Sequence, residues 1–411
     1  MLASGPLRAF LTLLSVVVAA LPAGAQSTDS VFPFKVHEKK LANGLNIVVV
    51  PTDYPDIVAL QIPVRVGARN EVEPGRSGFA HFFEHMMFRG TDRFPAEKYN
   101  DVMKEAGADS NAYTTADFTN YHTTFSKADL ETVLMVEADR FANLKYEVAP
   151  FQTEARAVLG EYNKNYANPI NKLLEVQRDH AFKRHTYKHT TMGFIADIER
   201  MPEMYDYSRT FFDRFYRPER TTLIIGGDVD PQNVFALVEK HWGSWKRGGH
   251  TSEIAVEPPP TGAIYHHIPW SSPTPTWVTV GFRGPAASDE KPDMAAMNLI
   301  SGLAFGQSSP LYRQLVIEGQ KVDQLFAYFP DSRDPYLLTV MARVKRKEDA
   351  WAVRTAIQET FRKLRDERLP ADRVTAVKSR LRYSFANDLD NSESIVEALV
   401  PYVALYDDWS A

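Results

Sequence analysis

Apolar and polar positions follow two different periods along the first half of the chain. Lys35–Leu41 and the nearly unbroken apolar run Leu45-Asn46-Ile47-Val48-Val49-Val50 flank Asn43-Gly44. Asn-Gly between two such runs is a tight-turn signal and predicts a pair of strands. Ile57 to Val66, with its β-branched residues, predicts the next strand. After the polar loop Gly67 to Gly78 the period lengthens. Phe82, Phe83, Met86 and Phe88 then fall where a half-buried helix needs apolar bulk. A short helix is expected over Asn100 to Ala106, stopped by Gly107. Asn111 to Phe125 is rich in Thr and aromatics and predicts two strands around Asp117. Lys127 to Leu144 has Leu130, Val133, Leu134 and Phe141 at helical spacing. A further helix follows Pro150, and Asn168-Pro169 interrupts the pattern. Thr221 to Val229 reads as a strand and turn.

Residues 249–262 include Pro258-Pro259-Pro260 and make a semi-rigid linker. Beyond it the pattern faintly repeats. Trp277 to Phe282 is similar to the strand near residue 60, and Leu325–Phe329 with Leu337–Val344 to the strand pair near residue 115. Met294 to Gly302 holds the place of the first helix without its His or Glu, and Ala350 to Leu364 is helical again. The expected fold is therefore α+β: two related α/β domains, each a mixed, mainly antiparallel sheet packed with helices. They span residues 26–248 and 263–411. The second is the shorter and shows no evident final strand and helix, so it is read as reduced or incomplete.

Composition narrows the classes. A chain of 411 residues exceeds one ordinary domain. Its 44% hydrophobic and 12% aromatic content suits folded cores. A net charge of −5 with scattered Lys and Arg argues against nucleic acid. No cysteine is present, which removes disulfides, thiol catalysis and thiolate metal ligands, and leaves His and carboxylates as the ligand types. At the amino end, Arg8, the apolar stretch Ala9–Leu21 and Ala23-Gly24-Ala25 form the pattern of a cleavable signal peptide over residues 1–25. The stretch falls short of the ~20 residues that a spanning helix needs. Export is expected, to the periplasm or the medium, with no membrane span after cleavage.

The chemistry gathers at His81-Phe82-Phe83-Glu84-His85. On a helix, His81 and His85 lie one turn apart on one face and can grip one Zn²⁺. Glu84 flanks that face without lying in line with the pair, which suits a proton acceptor for water rather than a ligand. A third ligand is needed, and the downstream helix offers two carboxylates, Glu154 and Glu161, two turns apart. His180, His185 and His189 form a second cluster, but with no acid in the base position and with Lys, Arg and Thr around them they read as solvated or structural.

H-x-x-E-H is the inverted zinc motif, and here the chain resembles the pitrilysin/insulinase family of zinc metallopeptidases, in its short two-domain form. The resemblance implies one Zn²⁺ per chain held by His81, His85 and Glu161, since the family's third ligand stands as far beyond the second His as residue 161 stands beyond residue 85. It implies Glu84 as general base and Glu154 as the acid behind a ligand; a surface Glu is the plainer alternative for Glu154. It makes Asn111-Ala112 the start of an edge strand that holds an extended peptide, the alternative being an ordinary hairpin. The expected function is a zinc endopeptidase or oligopeptidase; the competing reading is a non-catalytic scaffold or binding subunit of a heteromeric peptidase. Many active members set an Arg and a Tyr, seven apart, against the substrate carbonyl just after a Ser-Ser-x-Leu segment. Here Ser308-Ser309-Pro310-Leu311 is followed by Val316 and Asp323 at those places. The resemblance thus implies a heterodimer with a metal-free homologue that supplies the pair, with a homodimer as the alternative.

Overall fold

Runs of β-branched residues that are buried on both faces build a central sheet in the first half of the chain. In a computed structural model, residues 31–411 are described, so the expected signal peptide lies outside the described residues. The strands are β1 (His37–Lys40), β2 (Asn46–Pro51), β3 (Ile57–Val64), β4 (Asp109–Thr114), β5 (Thr119–Ser126) and β6 (Thr222–Gly227). Their order across the sheet is β1-β2-β6-β3-β5-β4. Among the described residues only β2 and β6 pair in parallel. The turn before β2 is the expected one: Gly44 has φ +92°, and the Asn43 side chain donates to the carbonyls of Trp242 and Trp245. β6 therefore enters the middle of a sheet whose other strands were laid down more than ninety residues earlier. Gly227 closes that strand at φ +134°, where a Cβ would lie 2.2 Å from the carbonyl oxygen of Ile57.

The helices of this half are α1 (Phe79–Met86), α2 (Ala96–Glu105), α3 (Leu130–Asn143), α4 (Val148–Tyr166), α5 (Pro169–Ala181), α6 (Ile195–Arg200), α7 (Tyr205–Phe215) and α8 (Pro231–Trp242). α3 begins later than its pattern suggests, because Lys127–Asp129 forms a tighter turn capped by Ser126. The aromatic side chains of α1 make the junction. Phe83 stacks on Phe211 of α7 at 5.4 Å between centroids, and Phe82 meets Phe151 of α4 edge-on at 5.1 Å. All four rings are fully buried. Contacts of this kind add to area burial, which is worth about 1.5–3 kcal/mol for a large apolar side chain.

The second sheet has β7 (Thr276–Arg283), β8 (Val322–Tyr328) and β9 (Leu337–Val344) in the order β7-β9-β8, all antiparallel. It repeats part of the first. β3 pairs β5 along all of Ile57–Val64, and β7 pairs β9 along all of Thr276–Arg283. β5 is followed by α3, and β9 by α11 (Ala350–Asp366). Before them stand α9 (Asp293–Ile300) and the short turn α10 (Pro310–Tyr312), and after them α12 (Ala371–Asp388), α13 (Ser392–Glu397) and α14 (Val400–Tyr406). Among the described residues no strand lies beyond β7, where β3 has β6. The second sheet is thus the smaller one, with a correspondingly smaller core around Val280, Phe305, Val340 and Ile357.

Each sheet receives a helix from the other half. Gln177 of α5 reaches Thr339 of β9 at 3.3 Å, and the side chain of Arg283 on β7 donates to the carbonyl of Ala181. In return α13 lies on the first sheet, with Ser392 bonded to Thr52 and Glu393 3.3 Å from His122. Residues 249–262 form an extended connection without helix or strand, pinned where Glu257 accepts the amides of Lys183, Arg184 and His185. Phe34–Ala411 forms one compact unit.

Candidate metal centre

Two helices far apart in sequence bring the candidate ligands together. α1 carries His81, Glu84 and His85, and α4 carries Glu154 and Glu161. The Nε2 atoms of His81 and His85 are 3.3 Å apart. Oε2 of Glu161 lies 3.5 Å from the first and 3.3 Å from the second. Ligands ~2.0–2.1 Å from a tetrahedral Zn²⁺ stand about 3.3–3.4 Å from one another, so this triangle has the size of one face of such a site. His81, His85 and Glu161 are the group of three or more possible ligands found among the described residues.

The carboxylate of Glu84 belongs to no side of that triangle. It accepts a 2.7 Å hydrogen bond from the Thr114 hydroxyl at the end of β4. Burial raises its pKa above the usual carboxylate value, against the lowering effect of Thr114 and of His85. Glu154 sits behind the site. Its Oε1 is 2.9 Å from Nδ1 of His85, and its Oε2 is held by Arg89. This contact makes Nδ1 of His85 the protonated nitrogen and leaves the Nε2 lone pair facing the triangle. Glu154 is buried rather than a surface acid.

The two imidazoles differ. Burial, with the nearby His85, lowers the pKa of His81 to about 3, so that ring is neutral at ordinary pH. Its Nδ1 is buried without a hydrogen-bond partner among the described residues. For His85 burial acts in the same downward sense, but Glu154, Glu161 and Glu84 outweigh it and the pKa is raised. The Glu161 side chain is 38% exposed, so the site opens on that side.

Among the described residues β4 forms the outer edge of its sheet, with β5 as its strand partner. Asn111 is exposed and its side chain accepts the amide of Ala112, while Ala112 packs into the core. The second histidine cluster does not converge. His180 is exposed, His185 pairs with Asp334, and His189 is buried beside Glu71. Thr114 and Arg89, which hold Glu84 and Glu154, were not singled out from the sequence. Strand alternation puts Thr114 on the same face as Ala112 and was the available signal. Arg89 offered none beyond its place just past the helix.

Residues 47–193 match the family model described as Insulinase (Peptidase family M16). Residues 204–381 match that described as Peptidase M16 inactive domain. The zinc protease PqqE of Helicobacter pylori is 28% identical over 409 residues, covering 97% of this chain and 90% of that protein. The mitochondrial-processing peptidase subunit beta of Lentinula edodes is 26% identical over 299 residues, 71% of this chain and 58% of its own length. The crystal structure of a protease from Helicobacter pylori superimposes with a TM-score of 0.83 at 27% identity, covering 90% of this chain and 89% of the other.

Proposed function

This chain belongs to the insulinase family, peptidase family M16, and on that premise we propose that it hydrolyses peptide bonds with one zinc ion per chain. The observation that carries the reading is the 3.3–3.5 Å triangle of His81, His85 and Glu161 with a separately held carboxylate, Glu84, beside it. His81, His85 and Glu161 would hold the zinc ion, which when bound would supply Lewis-acid polarisation of a carbonyl and activation of water. Glu84 takes the proton of the attacking water and returns it to the leaving amine, with Thr114 fixing the carboxylate between the two transfers. Glu154 keeps His85 in the tautomer that presents Nε2. An extended peptide pairs with the outer edge of β4 at Asn111 and Ala112, taking the Ala112 amide over from the Asn111 side chain, and its backbone then lies across the site.

No group of three or more possible metal ligands is found among the described residues of the second half. α9, in the position corresponding to α1, reads Asp-Met-Ala-Ala-Met-Asn-Leu-Ile. The positions that would carry the family's Arg and Tyr are occupied otherwise. Val316 packs against the second core, and Asp323 is paired with Arg343 by two hydrogen bonds of 2.8 and 3.0 Å. This supports assembly with a metal-free homologue that supplies the missing pair; a relative is by its name one subunit of a processing peptidase. Self-pairing is the other arrangement, and a non-catalytic subunit is the competing role, opposed by the complete His81, Glu84, His85 and Glu161 set. The pattern of residues 1–25 supports export to the periplasm or medium, and no described helix is long and apolar enough to cross a membrane.

The test is Glu84→Gln. It is expected to bind one zinc per chain as the parent does and to lose about 10²–10⁴-fold or more in turnover of a peptide substrate. Chelation should abolish the parent's cleavage and added zinc restore it. Full activity in the variant removes the assignment of Glu84.

A further inference from the structure

α1 must hold its ligands still, yet it begins without a side chain to cap it. The residue before it is Gly78, at φ +91°, and the helix has only eight residues. Its first amides have no intrahelical acceptor, and the buried surroundings of Phe79 and Ala80 exclude water from them. The acceptor comes from the preceding loop. Glu71 is completely buried, with one carboxylate oxygen 2.7 Å from the amide of Gly78 and the other 2.7 Å from that of Ala80. The loop behind is built to keep it there. His189, buried, stands 3.7 Å from Glu71 and donates through Nδ1 to the carbonyl of Thr190. Ser77 bonds Asp197 through amide and hydroxyl and accepts the amide of Phe194. Gly193 lies so close that a Cβ would come 2.8 Å from the amide nitrogen of Gly78.

We propose that Glu71 is a positioning residue for the metal centre: its two-pronged grip on the first turn of α1 fixes His81, directly after Ala80, and one turn further Glu84 and His85. Burial pushes the Glu71 pKa up to about 8 against the lowering effect of the Ala80, Gly78 and Phe79 amides, and the ionised form is the one that accepts from both amides. Here its two oxygens also set where the helix starts and how it is rotated, on which the convergence with Glu161 depends. Gln in its place keeps one acceptor but turns an NH₂ towards the second amide, donor against donor. Asp keeps the carboxyl group but is one methylene too short to reach both amides.

The inference rests on the zinc reading of the site, and its test keeps the two apart. Glu71→Gln and Glu71→Asp are compared with Glu84→Gln for zinc affinity by chelator competition, for the visible spectrum of the cobalt-substituted protein, and for kcat and KM on a peptide. Both Glu71 variants are expected to lose about 10–100-fold in zinc affinity, to show an altered cobalt spectrum, and to lose kcat more than KM. Should the glutamine variant not fold, the aspartate variant carries the same expectation. A folded Glu71 variant with the parent's zinc affinity and cobalt spectrum overturns the proposal, even where its thermal stability is lower. Full turnover by Glu84→Gln counts against Glu84 as the base alone, since the zinc and cobalt measurements still judge Glu71.

Discussion

The two imidazoles of the candidate site owe their protonation behaviour to different surroundings. His81 is neutral because it is buried. His85 is half-exposed and relies on Glu154, which fixes its tautomer and is itself kept ionised: burial raises the Glu154 pKa, but the hydrogen bonds of His85 and Arg89 more than reverse this. Replacing Glu154 by Gln removes that charge while keeping the shape. The expected outcome is an intact fold with zinc affinity about 10–100-fold weaker, read by chelator competition. The family spacing pointed to Glu161, while for Glu154 the resemblance suggested the acid behind a ligand and left a surface Glu as the alternative. Thr114 and Arg89 escaped notice because hydroxyls and arginines on exposed-looking stretches are common, and only contact distinguishes one from the rest.

At the scale of elements, α1 and α4 make the site because each presents one face to the other. Glu154 and Glu161 are two turns apart on α4 and project towards the same side, one to the back of His85 and one to its front. α1 is seated by its phenylalanines and by Tyr121 of β5, whose hydroxyl donates to the carbonyl of Phe83. Its start is the tightest point. A Cβ on Gly78 would lie 2.4 Å from Cδ1 of Ile198 and 2.9 Å from the carbonyl of Met192, in a left-handed backbone. Gly78→Ala is therefore expected to lower stability by about 1–3 kcal/mol or more, measured by chemical denaturation. The periodicity located α1, α4 and the β4–β5 pair within a few residues. It misjudged the starts of α2 and α3, where Pro95 and a capped tight turn set the boundary.

Across the whole molecule, a polar clasp joins the first half to the loop before β9. Asp334 accepts from Arg69 and His185, and Tyr187 donates to Asp117, whose other oxygen takes the amide of Arg333. Burial alone would raise the Asp334 pKa, but the hydrogen bonds and charges of His185 and Arg69 hold it at about 2. A folded pKa below the unfolded value contributes stability that is present above the unfolded pKa, about 4, and is lost as the pH falls towards 2. Unfolding measured across that window should show a smaller acid loss for Asp334→Asn than for the parent; an identical profile would remove Asp334 from the account. By itself the sequence determined the α+β class, the faint repeat, and the candidates for binding zinc and moving a proton. Those follow from local period, from the chemistry of side chains and from a spacing along the chain. Tertiary structure alone decided that β6 enters the middle of the first sheet, that α13 returns to cover it, and that Glu71 grips a helix it is not part of. Such pairings join residues far apart in the chain through packing and buried hydrogen bonds, and no local pattern encodes which distant partner will be met.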